Sequence, residues 1–384
     1  MRIFLVLKPS GNQSVSNSLT WLHNLYEPLL DLGHDVYLVR VDTVAKEYSL
    51  RIRKGLFKQI FSQILLEKFK KEYLKKPFDF FLSYLTDLDV ETSVIDEIKR
   101  CGVPTANFSC NNTHQFYLTK IIAPHFEYNL HSEKDASEKF RMIGANPVWF
   151  PMAANPKYYH TINVEKDIDV SFIGANYARR PYYIWHLLEN DINVHCYGPK
   201  WLVNKPYPFA RNIAKEFIRN WYAFNAFFSL SAENRSHYSS NVAHYDFQKR
   251  LRIKYKKNMH YPISDDEMIK IYNRSKIVLG FLEVFDNHDA SMITKQHLHL
   301  REFEVPMCGA LHFTNYSEEL SEFYESDKEI VIYRNEHELL DKVRYYLSHP
   351  NEALRIREAG YKRAFNCHTY QKRYQELFNC IGLK

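Results

Sequence analysis

Short apolar runs recur along the chain, each closed by glycine, proline or polar residues and followed by a stretch with helical spacing. Arg2 to Lys8 predicts a buried strand, Pro9 to Ser16 a polar loop, Asn17 to Leu32 a helix, and Asp35 to Val41 a second strand after the Gly33-His34 stop. Strand-like Phe78 to Tyr84, helical Val90 to Arg100, and strand-like Thr105 to Ser109 and Phe126 to His131 continue the alternation to about Phe150. This is the order of parallel βαβ units. It restarts at Asp167-Ile-Asp-Val-Ser-Phe-Ile-Gly174, with a helix near Pro181 to Glu189 and a strand at Asn193 to Tyr197. Ser264-Asp-Asp-Glu267 is a capping box that opens a helix from Glu267 to Ser275, and Lys276 to Phe281 follows as a strand. In Arg301-Glu-Phe-Glu-Val-Pro-Met-Cys-Gly-Ala-Leu-His-Phe-Thr314 a helix ends near Gly309 in the left-handed C′ position, and Ala310 to Phe313 enters another buried strand. Pro151-Met-Ala-Ala-Asn-Pro156 separates the two α/β runs and reads as a linker.

The chain has 384 residues, which suits two domains. Between Trp201 and Pro262 the alternation breaks into basic and aromatic sequence, including Trp221-Tyr-Ala-Phe-Asn-Ala-Phe-Phe-Ser-Leu230, and this reads as an insertion. The net charge of +6 is unevenly placed. Lys46 to Lys76 carries +7 and Lys200 to Lys257 carries +9, leaving −10 for the rest. Either segment offers a surface for an anionic partner, such as a membrane face, or is a solvated helix face. From Phe57 to Phe69 the apolar positions keep helical spacing while lysines fill the other side, so this helix either lies on an anionic membrane or packs on a sheet as a crossover. Six cysteines, at 101, 110, 196, 308, 367 and 380, form no C-x-x-C and no zinc-ligand spacing, which argues against a disulfide framework or structural metal and points to a reducing cytoplasm. No run reaches the ~18 apolar residues of a membrane span, and Met1-Arg-Ile-Phe-Leu-Val-Leu lacks the features of a signal peptide. The expected location is cytoplasmic, with peripheral attachment to the inner membrane face as the alternative.

Candidate chemistry gathers at strand ends. The first loop carries only Gly11 and lacks G-x-G-x-x-G, so it does not read as a dinucleotide loop. Phe172-Ile-Gly-Ala-Asn-Tyr-Ala-Arg-Arg-Pro181 joins a strand to a helix, where backbone N–H groups, the helix dipole and the forked donors of Arg179 and Arg180 can receive a diphosphate. Glu304 stands on a helix beside a strand's carboxyl end, where open α/β sheets bind ligands, and a carboxylate there can accept both hydroxyls of a ribose. His114, in Asn111-Asn-Thr-His-Gln115, follows an N-domain strand and is either a base for the reacting hydroxyl, a group that orients the sugar, or a surface-loop histidine. Asp87-Leu-Asp89 has D-x-D spacing, but its place between a strand and a helix is where acids stabilise a helix start. His288, His297, His299 and His312 show no fixed ligand set, so no metal site is expected.

The stretches Tyr272 to Leu279, Leu300 to Gly309, Lys328 to Tyr333 and His368 to Tyr370 resemble the donor half of GT-B glycosyltransferases, in particular the group-1-like subfamily that includes the spore-maturation-type (CgeB-like) proteins. The resemblance covers Asp167 onward outside the insertion; the N-terminal half matches in general layout. It implies an α/β protein of two Rossmann-like domains facing each other across a cleft: an acceptor domain at 1–155, a nucleotide-sugar donor domain at 156–366 with the insertion at about 201–262, and a helix at 367–384 returning to the first domain. It implies Gly174, Asn176, Tyr177, Arg179, Arg180, Arg301, Glu304, Gly309 and Thr314 on the donor side, with Asp87 and Asn112 as acceptor-side candidates and His114 and Arg180 as catalytic candidates. Relatives with the E-x7-E motif carry a glutamate where this chain has Gln296. The implied activity is metal-independent transfer of a hexosyl or related glycosyl group from a nucleotide diphosphate sugar to a hydroxyl of a glycan, a lipid-linked glycan or a protein, with no cofactor. The alternatives are a non-catalytic nucleotide-sugar or glycan binder and, with no recognised motif to support it, a nucleic-acid-binding module.

Overall fold

The computed structural model describes residues 1–8, 18–48, 56–202, 244–285 and 294–383. The first half supplies β1 (Arg2–Leu7), β2 (Asp35–Arg40), β3 (Phe80–Ser83), β4 (Thr105–Ser109), β5 (Tyr128–His131) and β6 (Pro147–Trp149). They form one parallel sheet in the order β2-β1-β3-β4-β5-β6. The second half supplies β7 (Ile168–Ile173), β8 (Val194–Tyr197), β9 (Met259–His260), β10 (Ser275–Leu279), a hairpin of β11 (Glu283–Phe285) and β12 (Thr294–Gln296), β13 (Leu311–Asn315) and β14 (Val331–Tyr333). Its main sheet is parallel, in the order β14-β13-β10-β7-β8-β9. The chain leaves β7 towards β8 and β9 on one side and resumes at β10 on the other. That reversal opens a crevice at the carboxyl ends of β7 and β10.

Parallel strands covered on both faces read as unbroken apolar runs, and Ile3 to Leu7 are all buried. The helix Phe57–Lys75 covers one face of the first sheet: Phe69 meets the ring of Phe4 at 5.3 Å, and Phe61 and Leu65 are buried beside it. Its apolar side is therefore used in the core, so the crossover alternative is the one observed. On the other side Lys58, Lys70 and Lys75 pair with Glu91, Glu97 and Glu72.

The segment expected as an insertion is in its described part regular. Residues 244–254 are helical and lead to β9, which pairs with β8 at the edge of the second sheet. Residues 203–243, with the Trp221 to Leu230 run, lie outside the described residues, as do Gly11 with most of its loop, residues 49–55 of the first basic segment, and His288. No helix among the described residues is long and apolar enough to cross a membrane.

The chain passes between the halves twice, side by side. Ala154 N–H donates to the His368 carbonyl at 3.1 Å and Tyr370 N–H to the Ala154 carbonyl at 3.4 Å. The stretch expected to be a linker is well tied down, since Asn155 is fully buried and its side-chain amide donates to the His23 carbonyl at 2.7 Å. Thr369 caps the helix Tyr370–Cys380, accepting from Lys372 N–H. That helix lays Tyr374, Leu377 and Phe378 into the core that holds Ile3, Leu5, Leu25 and Leu29, and the Tyr374 hydroxyl donates to the Leu25 carbonyl at 2.8 Å.

Candidate active site

Between the two sheets lies a cavity of about 460 Å³, within the range of small-molecule sites. One wall comes from the second half, with Ile173, Ala175, Tyr177, Arg180, Tyr272, His299, Arg301 and Glu304, and the opposite wall from the first, with Trp21, Tyr84, Cys110, Asn111, His114 and Gln115. The Phe172 ring is flanked by both arginines, with the Arg301 guanidinium carbon 5.1 Å and that of Arg180 5.6 Å from its centroid. Arg180 opens the helix Arg180–Glu189, whose first turn contains Pro181. A proline there gives up no needed N–H and pre-sets the helical φ.

Arg180 Nη1 and Nη2 donate to the carbonyls of Ala175 and Phe281 at 3.3 and 3.4 Å, and Nη2 lies 3.4 Å from His299 Nε2. Its Nε, and Nε and Nη1 of Arg301, are buried without a hydrogen-bond partner among the described residues. Desolvation, then repulsion from Arg301, pushes the Arg180 pKa down to about 9. Burial, reinforced by the surrounding cations, drives that of His299 well below the histidine range, so its ring is neutral. Buried donors of this kind are costly unless an acceptor meets them. Beside them burial lifts the Glu304 carboxyl to about 7 against the opposing pull of Tyr159 and Arg301.

Across the cavity Glu133, just beyond β5, sits 2.8 Å from Nδ1 of His297, which comes from the other half of the molecule. Burial works to raise the Glu133 pKa, yet His297 and the Asn112 amides hold it below the usual carboxylate value. Asn112 donates to Glu133 from its backbone N–H at 3.1 Å and from its side chain at 3.2 Å. His297 lies 5.8 Å, centroid to centroid, from His114 and 4.6 Å from His299. Sequence reading named the three histidines and missed Glu133. The available signal was His131-Ser-Glu133, a polar run at the carboxyl end of an otherwise apolar strand. A second carboxylate, Glu302, accepts from His299 N–H at 2.7 Å and lies 3.6 Å from His312 Nε2, which fixes the loop that carries His299.

A model of the family described as glycosyl transferase-like matches residues 184–379, half of the chain. The chain belongs to the glycosyl transferase-like family. No curated protein matches it. Among solved structures, HepE from Anabaena, crystallised with UDP, superposes over 100% of both chains with a TM-score of 0.59 at 9% identity. A glycosyltransferase from Rickettsia africae covers 99% of this chain and 98% of its own at 0.59 and 11%, and sucrose-phosphate synthase from Thermosynechococcus elongatus 99% and 100% at 0.56 and 11%. At these identities the likeness is one of fold, and that fold is GT-B.

Within this glycosyl transferase-like chain, Tyr177, Arg180, Arg301, Glu304 and His114 converge on the cavity, whereas the other expected site residues do not line it. Arg179 points outward to Glu283 and Glu336, at 3.9 and 4.0 Å. Asn176 is buried, its N–H donating to the Pro199 carbonyl at 3.0 Å. Thr314 is buried within β13. Gly309, with φ of 64°, is the helix C′ residue as expected, which puts it at the amino end of β13, away from the cavity. Asp87 accepts from the N–H groups of Ile121 and Ile122, and Asp89 pairs with Lys8 at 2.5 Å, so both acids of the D-x-D spacing hold local structure. Asn112 positions Glu133. Among the described residues no group of three or more His, Cys, Asp or Glu side chains is placed to hold a metal ion.

Gly174 ends β7 under this wall. A Cβ there would sit 2.5 Å from Phe172 Cζ and 3.0 Å from Arg301 Nη2. Gly174→Ala is expected to destabilise the protein by about 1–3 kcal/mol, the usual cost of overpacking, read as a lower urea midpoint at unchanged slope.

Proposed function

We propose that this chain transfers a hexosyl or related glycosyl group from a nucleoside diphosphate sugar to a hydroxyl acceptor, with the donor held by 156–366 and the acceptor by 1–155. The observation that carries this is the buried Arg180 beside the half-buried Arg301, each with buried N–H groups that have no partner among the described residues, on one cavity at the β7/β10 crevice with the buried Glu304. A leaving diphosphate supplies the negative charge that this wall lacks, and donors fixed in advance stabilise it as it departs. Arg180 and Arg301 hold the diphosphate without an obligatory metal, and Glu304 accepts hydroxyls of the ribose or the sugar. The acceptor enters along His114 and Asn111, where His114 receives or orients the reacting hydroxyl. UDP is the first nucleotide to try, because HepE was crystallised with UDP, UDP and glucose, and UDP-glucose. The helix Arg301–Met307 followed by Gly309 and β13 also supports a place in the group-1-like, CgeB-like subfamily.

A binding-only role would rest on Gln296, and that side chain is exposed on β12 with its amide on the Tyr316 carbonyl, so its identity leaves the cavity unchanged. Thermal stabilisation by UDP-, GDP-, ADP-, TDP- and CMP-sugars, followed by donor turnover in EDTA, tests the proposal. One nucleotide class is expected to raise the midpoint and to be consumed with the metal chelated. No shift with any donor removes the donor reading, and turnover abolished by EDTA removes the metal-independent mechanism.

A further inference from the structure

A second cavity, of about 520 Å³, lies at the opposite end of the second sheet. Three adjacent parallel strands bring their amino ends to it: Lys166 precedes β7, Asn273 precedes β10 and Gly309 precedes β13. The helix Pro350–Cys367 closes it with Arg357, Tyr361 and Lys362. The lining therefore includes three cations, and one carboxylate, Glu358.

The cations are not used up by the fold. Lys166 Nζ donates to the carbonyls of Asn273 and Ser275 at 2.8 and 3.0 Å, which fixes the charge at the cavity floor and leaves its third N–H. Burial takes its pKa down to about 8, and Arg357 pushes the same way. Burial lowers Arg357 as well, opposed by Glu358 alone. Two half-buried cations that repel each other, with a third at the rim, form an anion site with its charge in place. The neighbouring polar groups, Thr161, Asn163 and Tyr361, are neutral.

We propose that this cavity is a second ligand site, for a small phosphate-bearing molecule, separate from the cleft. Phosphate chemistry fits better than a lone carboxylate, because three cations from two elements surround a space that a single carboxylate would leave mostly empty, whereas a phosphate offers acceptor oxygens in several directions. The site stands whether or not the cleft takes a nucleotide sugar. Both cavities do share structural elements. Arg301 and Glu304 at the front and Cys308 and Gly309 at the back belong to one helix and its cap, and the helix Asp265–Arg274 gives Met268 and Tyr272 to the front and Asn273 to the back.

The test is calorimetric titration of the full chain with inorganic phosphate at fixed ionic strength, run on wild type, Arg357→Met, Arg357→Lys, Lys362→Ala and Arg301→Met. A phosphate site that Arg357→Met weakens is expected to remain in Arg301→Met, whatever anion the cleft also takes. Affinity should fall about tenfold or more in Arg357→Met, the loss of a charge-assisted hydrogen bond, less in Lys362→Ala, and return in part with Arg357→Lys. Lys166 is left intact because its ammonium also ties down backbone. The proposal is overturned if Arg301→Met abolishes binding while Arg357→Met does not, if chloride at equal ionic strength gives the same heat, or if wild type binds no phosphate.

Discussion

Arg180→Met and Arg301→Met are each expected to lower donor turnover about 10²–10³-fold, the effect of removing one preorganised donor from a developing anion, while the ligand-free Arg301→Met protein stays as stable or becomes more so; Arg180→Met also gives up the bonds to the Ala175 and Phe281 carbonyls. The second half of this result discriminates. A structural arginine holds carboxylates or carbonyls together, and its removal destabilises. Here each guanidinium keeps buried N–H groups without a partner among the described residues, and the two repel across the Phe172 ring. Methionine keeps the length and the contact with that ring and removes a buried charge, an exchange that is often neutral or stabilising by about 1–4 kcal/mol. Steady-state kinetics and urea unfolding on the same preparations check both halves. Equal losses of stability and activity would make the arginines structural.

The second large effect is on pH. The Glu304 carboxyl is raised in the folded state to about 7, above its ordinary value of 4.5. A raised carboxyl binds its proton more tightly folded than unfolded, so its contribution is fully present below the unfolded pKa and is lost as pH rises through about 7. Glu319, raised to about 7 by partial burial, adds the same slope, and the depressed His299 opposes it at acid pH. The difference between wild type and Glu304→Gln isolates the one group. Glu304→Gln is expected to be the more stable protein at pH 8 by up to ~3 kcal/mol, with the gap closing towards pH 5. The same substitution removes the charged acceptor for the donor's hydroxyls, and donor affinity is expected to drop roughly 10–100-fold. A stability difference independent of pH would show that Glu304 is ionised throughout.

Much of this architecture is legible in the residues because parallel strands covered on both faces leave continuous apolar runs. Thr105 to Ser109 is a strand over the span expected, and the capping box at Ser264 closes with both of its hydrogen bonds. What escaped has physical reasons. β9 is two residues long and gets its strand character from pairing with β8, so no local period marks it. Arg179 and Arg180 are neighbours at a helix start, and about 100° of rotation per residue allows only one of them to face the crevice. Composition cannot choose between them; packing puts Arg180 in. Gly309 follows a helix and precedes a strand, so it falls at the amino edge of the sheet, while open sheets bind ligands at the carboxyl edge. Glu133 becomes meaningful only when the halves close and bring His297 to it, a pairing separated by more than 160 positions in sequence.

The helix Tyr370–Cys380, packed into the core of the first sheet, also bears on how the molecule is made. Residues 1–150 include all six strands of that sheet, yet Tyr374, Leu377 and Phe378 lie in the same core as Ile3 and Leu5. On the ribosome this sheet is synthesised before the helix that completes its core, with Trp21, Leu22, Leu25 and Leu29 as the first-half cover of that face. Domains that finish early fold as they emerge; this core is completed by contacts 349 positions apart, such as Tyr374 with Leu25, and contacts so distant form slowly.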